Sequence, residues 1–485
     1  MRSLVLAVLL IVAGSVRAQT NPTQPSTAPP KVDPSGELDK LSQSCGAFKI
    51  LPCAEELFTG KPFHIAVGSI APQNGFGAGL AYLDHKTTDN WRITWNSDAV
   101  ASSNGAWRAG LYFKFVDSRH KGIGGHMGAQ GKKKPRILSE LPEHPVYNLY
   151  AQALSLNKLT YFGLGPATTQ AGRTFYGMTQ TIVGGSAVRP FYQPLNASLY
   201  AEVNGRFVNI RPSTGQPSPS IGTLYTEATA PGLTSQPGTL QLGEGIQIRP
   251  AYFNDVFRLN YRLAYQQYFT PGNSNFSFQR LTADLSHDYV LHSKTVRPYL
   301  IPRDTNPNGP DQCDDPTKDE SQMTQEEKAK AKEHPCPRVT RNFEGTIGLR
   351  FFLAASMTPG GNLVPFYFQP TIGGVDLNGN PSLASYQDFR FRAPNVMFFR
   401  QSFEHSVWNL PLGVAFIADE GKVGLTRGDL GSNPWVHSFS AGLTLRAGGF
   451  PQVFLLFAWG GKEGTHTIAN VNTSLLGGGG RPSLF

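Results

Sequence analysis

Stretches in which apolar and polar residues strictly alternate recur along the chain, and a period of two belongs to extended strands with one apolar face. At 257–265 the odd positions are Phe257, Leu259, Tyr261, Leu263 and Tyr265, and the even ones Arg258, Asn260, Arg262 and Ala264. At 199–207 Leu199, Ala201, Val203 and Phe207 alternate with Tyr200, Glu202, Asn204 and Arg206. At 107–115 Trp107, Ala109, Leu111, Phe113 and Phe115 alternate with Arg108, Gly110, Tyr112 and Lys114. The pattern returns at 76–82, 91–96, 281–289, 343–353, 439–446 and 453–459. Several of these strands are about 9–11 residues long, enough to cross a bilayer at a tilt. A soluble sandwich would turn the apolar face into its core; a membrane barrel turns it to lipid and lines the lumen with the polar one. Phe, Tyr and Trp crowd the apolar face, and Arg, Glu and Lys recur on the other. The expectation is an all-β chain, a transmembrane antiparallel β-barrel.

Composition agrees. Only 16% of residues are charged, against roughly 25% in soluble domains, while Gly numbers 52 and aromatics make up 11%. The mean hydropathy of −0.26 and a single long apolar run exclude a bundle of membrane helices. That run, Leu4–Val12, follows Met1-Arg2 and precedes Val16-Arg17-Ala18, so residues 1–18 read as a cleaved export signal. The formal charge is +9, and Arg2 and Arg17 fall in the signal. The remaining basic excess is too mild to imply a nucleic-acid partner.

Export gives the cysteines their meaning. Cys45 with Cys53 and Cys313 with Cys336 form two local pairs, read as disulfide-closed loops. They lack the short Cys-x-x-Cys spacing of a zinc site. Residues 19–60 are a Pro-rich leader with the first small disulfide loop, 61–476 the barrel, and 477–485 a Gly-rich tail. The largest insert, 304–338, carries nine acids and the second cysteine pair, and reads as a stapled polar loop among the outer loops of the barrel. No metal-ligand spacing, phosphate loop or nucleophile elbow stands in the sequence. We therefore expect no enzyme, no catalytic residue, no cofactor and no metal.

Residues 372–423 carry the most individual stretch. Gly373-Gly374, Ser382-Leu383, Tyr386, Asp388-Phe389-Arg390-Phe391, Gln401, Glu404 and Phe416 to Val423 stand in the order of a recognisable motif set. This resembles the Omp85 superfamily of outer-membrane barrels, the bacterial surface antigen (D15) or BamA/TamA type. Tyr161 to Gly165 with Phe175-Tyr176-Gly177, Pro219 to Gly222 with Ala230-Pro231-Gly232, and Gly442 to Arg446 agree in order. The resemblance covers roughly 63–476 and implies about 16 strands, with a loop at 375–392 folded into the lumen.

It further implies that the loop is held by an arginine paired with acids of the wall. This chain departs there, with Ala384-Ser385 where the family has Arg-Gly. Glu404 and Asp419 remain as candidate wall partners, with Arg390 or Arg392 able to take the arginine's part. Residues 19–60 are also too short for one of the periplasmic POTRA domains usual in the family. The resemblance implies a bacterial outer-membrane location. The partners it implies are membrane lipid, the barrel assembly machinery, and a periplasmic protein or unfolded polypeptide. Two functions stay open: protein insertion or translocation, and a barrel-only pore or surface structure whose loop plugs the lumen.

Overall fold

The computed structural model describes residues 62–118, 144–213, 216–253, 255–299, 336–407, 410–447, 450–471 and 482–483. The export signal, the leader, most of the insert 304–338 and most of the tail lie outside the described residues. So do Cys45, Cys53, Cys313 and the side chain of Cys336, and with them both proposed disulfides.

Strands follow one another as an antiparallel meander. In chain order they are β1 (Phe63–Ser69), β2 (Phe76–Thr87), β3 (Trp91–Ser102), β4 (Trp107–Asp117), β5 (Val146–Tyr161) and β6 (Thr174–Tyr192). Next come β7 (Ala197–Pro212), β8 (Thr239–Ile248), β9 (Phe257–Phe269), β10 (Phe278–Tyr299) and β11 (Cys336–Met357). The last are β12 (Asn395–Ser406), β13 (Leu412–Gly424), β14 (Val436–Ala447), β15 (Phe450–Gly461) and β16 (Gly464–Val471). The sheet has 17 strands when the two-residue piece Ala251–Tyr252, also paired with β9, is included. Each long strand pairs with its predecessor, from β1–β2 to β15–β16. Among the described residues no ladder joins β1 to β16.

Burial along the strands is inverted relative to a soluble protein. On β7 Leu199, Val203 and Phe207 are exposed, Phe207 by 57%, whereas Glu202, Asn204 and Arg206 are buried, Arg206 with 0% exposure. On β14 and β15 Phe439, Leu443, Leu455, Phe457 and Trp459 are exposed while Ser438, Ser440 and Thr444 are buried. A surface this apolar costs free energy in water at roughly 25 cal/mol per Å², so its solvent is lipid. The chain is a transmembrane antiparallel β-barrel fold with its polar face inward. Among the described residues no helix is long and apolar enough to cross a membrane; strands do the crossing.

The polar face is knit by cross-strand bonds. Tyr150 and Tyr200 donate to the two Glu202 oxygens, the first at 2.6 Å. Tyr112 donates to Gln152 at 2.8 Å, and Arg350 clasps Asp284 at 2.8 and 2.9 Å.

At one rim the strands rise into a hydrophobic cap. Leu154, Leu156, Leu159 and Tyr161 of β5 and Tyr176 and Met178 of β6 join Ile221, Ala230 and Phe366–Phe368 in one buried cluster. Neither face of these strand ends meets lipid, so both become apolar there and alternation fades.

Successive connections alternate between rims, so the connection from β10 to β11, which holds the insert, leaves from the rim of both termini. The connection from β11 to β12, which holds residues 371–392, leaves from the cap rim. The connection that holds the insert and the one that holds the motif-bearing loop therefore leave the sheet at opposite rims.

Candidate functional site

The chain between β11 and β12 does not stay at the rim. Three residues, Phe366, Tyr367 and Phe368, form a single 3₁₀ turn and are all buried. Phe366 stacks edge-on to Tyr161 and Tyr176, each with centroids 5.2 Å apart. Phe368 leans on Tyr268 at 5.6 Å. This aromatic wedge belongs to the same connection as the loop that follows.

That loop is a folded-over double hairpin. Thr371–Ile372 pairs with Phe391–Arg392, and Gly374–Val375 with Pro381–Ser382. The reversal between them needs glycine. Gly373 and Gly374 have φ of 103° and 63°, in the left-handed region where a Cβ is disfavoured. A Cβ on Gly374 would also sit 2.5 Å from the Asp388 amide nitrogen. Asp388 fixes the reversal by accepting from the Val375 amide at 2.9 Å. Leu383 and Phe389 adopt positive φ without being glycine, a local strain that the surrounding contacts must offset.

All nine sequence-predicted loop positions fall in this one segment. Leu383, Ala384, Ser385, Tyr386, Phe389 and Arg390 are buried, Leu383 and Ser385 with 0% exposure. The tip docks on wall strands far away in sequence. Ser385 donates its amide to Ser438 Oγ of β14 at 2.8 Å. Leu383 and Ile372 fill the space left by Gly421 of β13, where a Cβ would meet Ile372 Cδ1 at 2.7 Å. Tyr386 similarly lies over Gly461 of β15, 2.8 Å from where its Cβ would be. On the opposite side Thr160 of β5 donates to the Asp388 carbonyl at 3.1 Å. Thr160 in turn accepts from Gln73, just past β1, at 2.8 Å. One loop therefore touches strands from both halves of the sheet, β5 and β13 to β15, which is the geometry of a wall curled round a plug.

Arg390 is the latch. Its Nε lies 2.5 Å from Glu463 Oε1, in the turn between β15 and β16. Its two Nη atoms donate to Thr168 Oγ1 at 2.8 Å and to the Thr168 carbonyl at 2.7 Å. The guanidinium is flanked by the rings of Phe391 and Phe162 at 4.6 and 4.9 Å. Arg392 ties the loop to the aromatic wedge, donating to the Phe366 carbonyl at 2.6 Å.

Glu404 and Asp419 take other partners. Glu404 binds Arg446 at 2.8 and 3.0 Å and accepts from Thr444 at 2.9 Å. Asp419 holds Arg400 with two bonds of 2.7 and 2.8 Å. Arg400 and Asp419 stand opposite each other in the β12–β13 register, so proximity gives the wall acid a wall arginine before the loop can reach it. The loop's ion pair is thus displaced, from a Glu404 or Asp419 partner to Glu463. Sequence reasoning missed Glu463, Thr168 and the wedge Phe366–Phe368. The Phe-Tyr-Phe run, which shows no alternation and lies between Gly360-Gly361 and Gly373-Gly374, was the available signal.

Among the described residues no group of His, Cys, Asp and Glu is arranged to hold a metal. What the arrangement offers is mechanical: a loop bound in the lumen by one buried ion pair, a few hydrogen bonds and apolar contacts.

Comparison with known proteins gives no matching family model and no matching curated protein. Solved structures do align. CdiB from Acinetobacter baumannii matches with a TM-score of 0.42 and 11% identity, covering 84% of this chain and 58% of that one. BamA from Haemophilus ducreyi lacking POTRA domains 1–3 gives 0.41 and 12%, covering 84% and 67%. CdiB from Escherichia coli gives 0.41 and 12%, covering 82% and 58%. The chain thus spans under two thirds of the length of either CdiB. The assignment of lipid and lumen faces rests on the burial pattern described above.

Proposed function

We propose that this chain is an outer-membrane barrel of the Omp85 (surface antigen D15) type whose lumenal loop gates the passage or insertion of polypeptide. The observation that carries the reading is the loop 371–392 latched inside a polar wall by Arg390 and Glu463. Among the described residues the loop is held by one buried ion pair, arginine-donated hydrogen bonds and apolar packing, non-covalent contacts that a passing chain can displace. The ordered motif set of 372–423 and the export pattern of residues 1–18 support the same placement. Lipid is the outer partner, the assembly machinery the agent of insertion, and an unfolded polypeptide or periplasmic protein the lumenal one. No bond-making step is assigned to the site.

A second reading is favoured by the loop tip. Ala384-Ser385 meets the wall through one backbone hydrogen bond and close packing rather than a charge, as a static plug would. Proteoliposomes separate the two. The first reading expects an unfolded reporter polypeptide, added outside, to become protected from external protease in vesicles carrying the chain. Protection no greater than in empty vesicles would leave a plugged barrel without translocase activity.

A further inference from the structure

The inner wall of β7 and β8 holds polar groups that the wall itself does not satisfy. Arg206 is fully buried, and its Nε donates to Asn204 Oδ1 at 2.9 Å. Its Nη1 is buried without a hydrogen-bond partner, and among the described residues no carboxylate forms an ion pair with it. Gln241 stands opposite Asn204 in the β7–β8 register and is fully buried, yet both its amide nitrogen and its amide oxygen are unpartnered. An orphaned buried polar group costs about 1–3 kcal/mol. A cluster of them on a wall facing the lumen calls for a ligand.

Part of that ligand is visible. The Ser483 carbonyl accepts from Arg206 Nη2 at 2.9 Å, and Pro482 beside it is buried. Pro482 lies eleven residues beyond Val471, the end of β16. An extended chain of that length reaches about 35 Å. The chemistry is that of backbone recognition. Arg206 supplies two donors for carbonyls, and the Gln241 amide supplies one donor and one acceptor, the complement of a peptide unit.

We infer that Arg206 is the anchor of a binding site for extended polypeptide backbone inside the lumen, with the chain's own Pro482–Ser483 as its resident ligand and the Gln241 amide as a place beside it that this ligand leaves open. This rests on the lumenal reading of the polar face and adds a ligand class to it. It shares no residue with the loop's latch, so either can fail alone.

The test uses the chain truncated after Val471 and a fluorescein-labelled peptide of residues 477–485. Fluorescence anisotropy should show saturable binding to the truncated chain and little to the full chain, whose site is already filled. Arg206→Gln in the truncated chain should weaken binding about tenfold, the loss expected for one charge-assisted bond, while Gln241→Leu should change it little, because the docked tail leaves both Gln241 amide atoms unpartnered. Because either variant could disturb folding, the full chain is also prepared with a photo-crosslinking residue at position 483. Irradiation should join it to peptides of 197–212 or 239–248. Equal binding by full and truncated chains, or crosslinks confined to other strands or other molecules, would overturn the inference.

Discussion

Replacing Arg390 by Ala should free the plug. The side chain is 3% exposed and makes an ion pair, two further hydrogen bonds and two ring contacts. Its loss strands Glu463, whose Oε2 is already without a partner. Removing one member of a buried pair costs about 3–5 kcal/mol. Equilibrium unfolding in detergent micelles should register that loss, and a planar bilayer should show raised conductance. Adding Glu463→Ala to Arg390→Ala should recover part of the stability, because the uncompensated acid is then gone. A double variant no better than the single would show that the pair does not hold the loop.

Leu443→Arg should be nearly as damaging, for the opposite reason. Leu443 points outward from β14 between Val414 of β13 and Leu455 of β15, and is 52% exposed. On a soluble protein so exposed a site changes stability by only about 0.5 kcal/mol. Facing lipid near the midplane it should cost about 2–4 kcal/mol. Refolding into vesicles, followed by the heat-dependent gel shift of folded barrels, measures the difference. An unaffected variant would mean that β14 does not face lipid.

The chain announces its wall where the two faces of a strand meet different solvents. At 199–207 lipid and lumen impose opposite residues on alternate positions, and the observed burial follows that alternation. It hides the upper halves of β5 and β6, because Leu156, Leu159, Tyr176 and Met178 are covered on both sides by the cap. The plug was legible for a similar reason. Gly373-Gly374 marks a reversal that needs left-handed backbone, and the residues after it are too apolar for a free loop. Which acid would hold it was not legible. Glu404 and Asp419 are acids with largely covered side chains, like Glu463, and only the folded sheet shows that Arg446, two strands away, and Arg400, the register partner, reach them first. Glu463 lies in a two-residue turn, where an acid reads as solvated surface. The unsatisfied pair on β7 and β8 was beyond reach too, since Gln241 is an ordinary inward polar residue until its neighbours are known.

The account turns on residues 371–392 lying in the lumen as a removable obstruction. Single-channel conductance of the purified chain in a planar bilayer, beside a variant lacking Asn378–Gln387, tests that most directly. The deletion removes the docked tip, Leu383 to Tyr386, with the hairpin partner Pro381–Ser382, and leaves Arg390 and the wall strands intact. The account predicts a nearly closed wild type and a variant with large, steady openings. Equal conductance in both would contradict it, because a loop whose removal leaves the pore unchanged is not its plug.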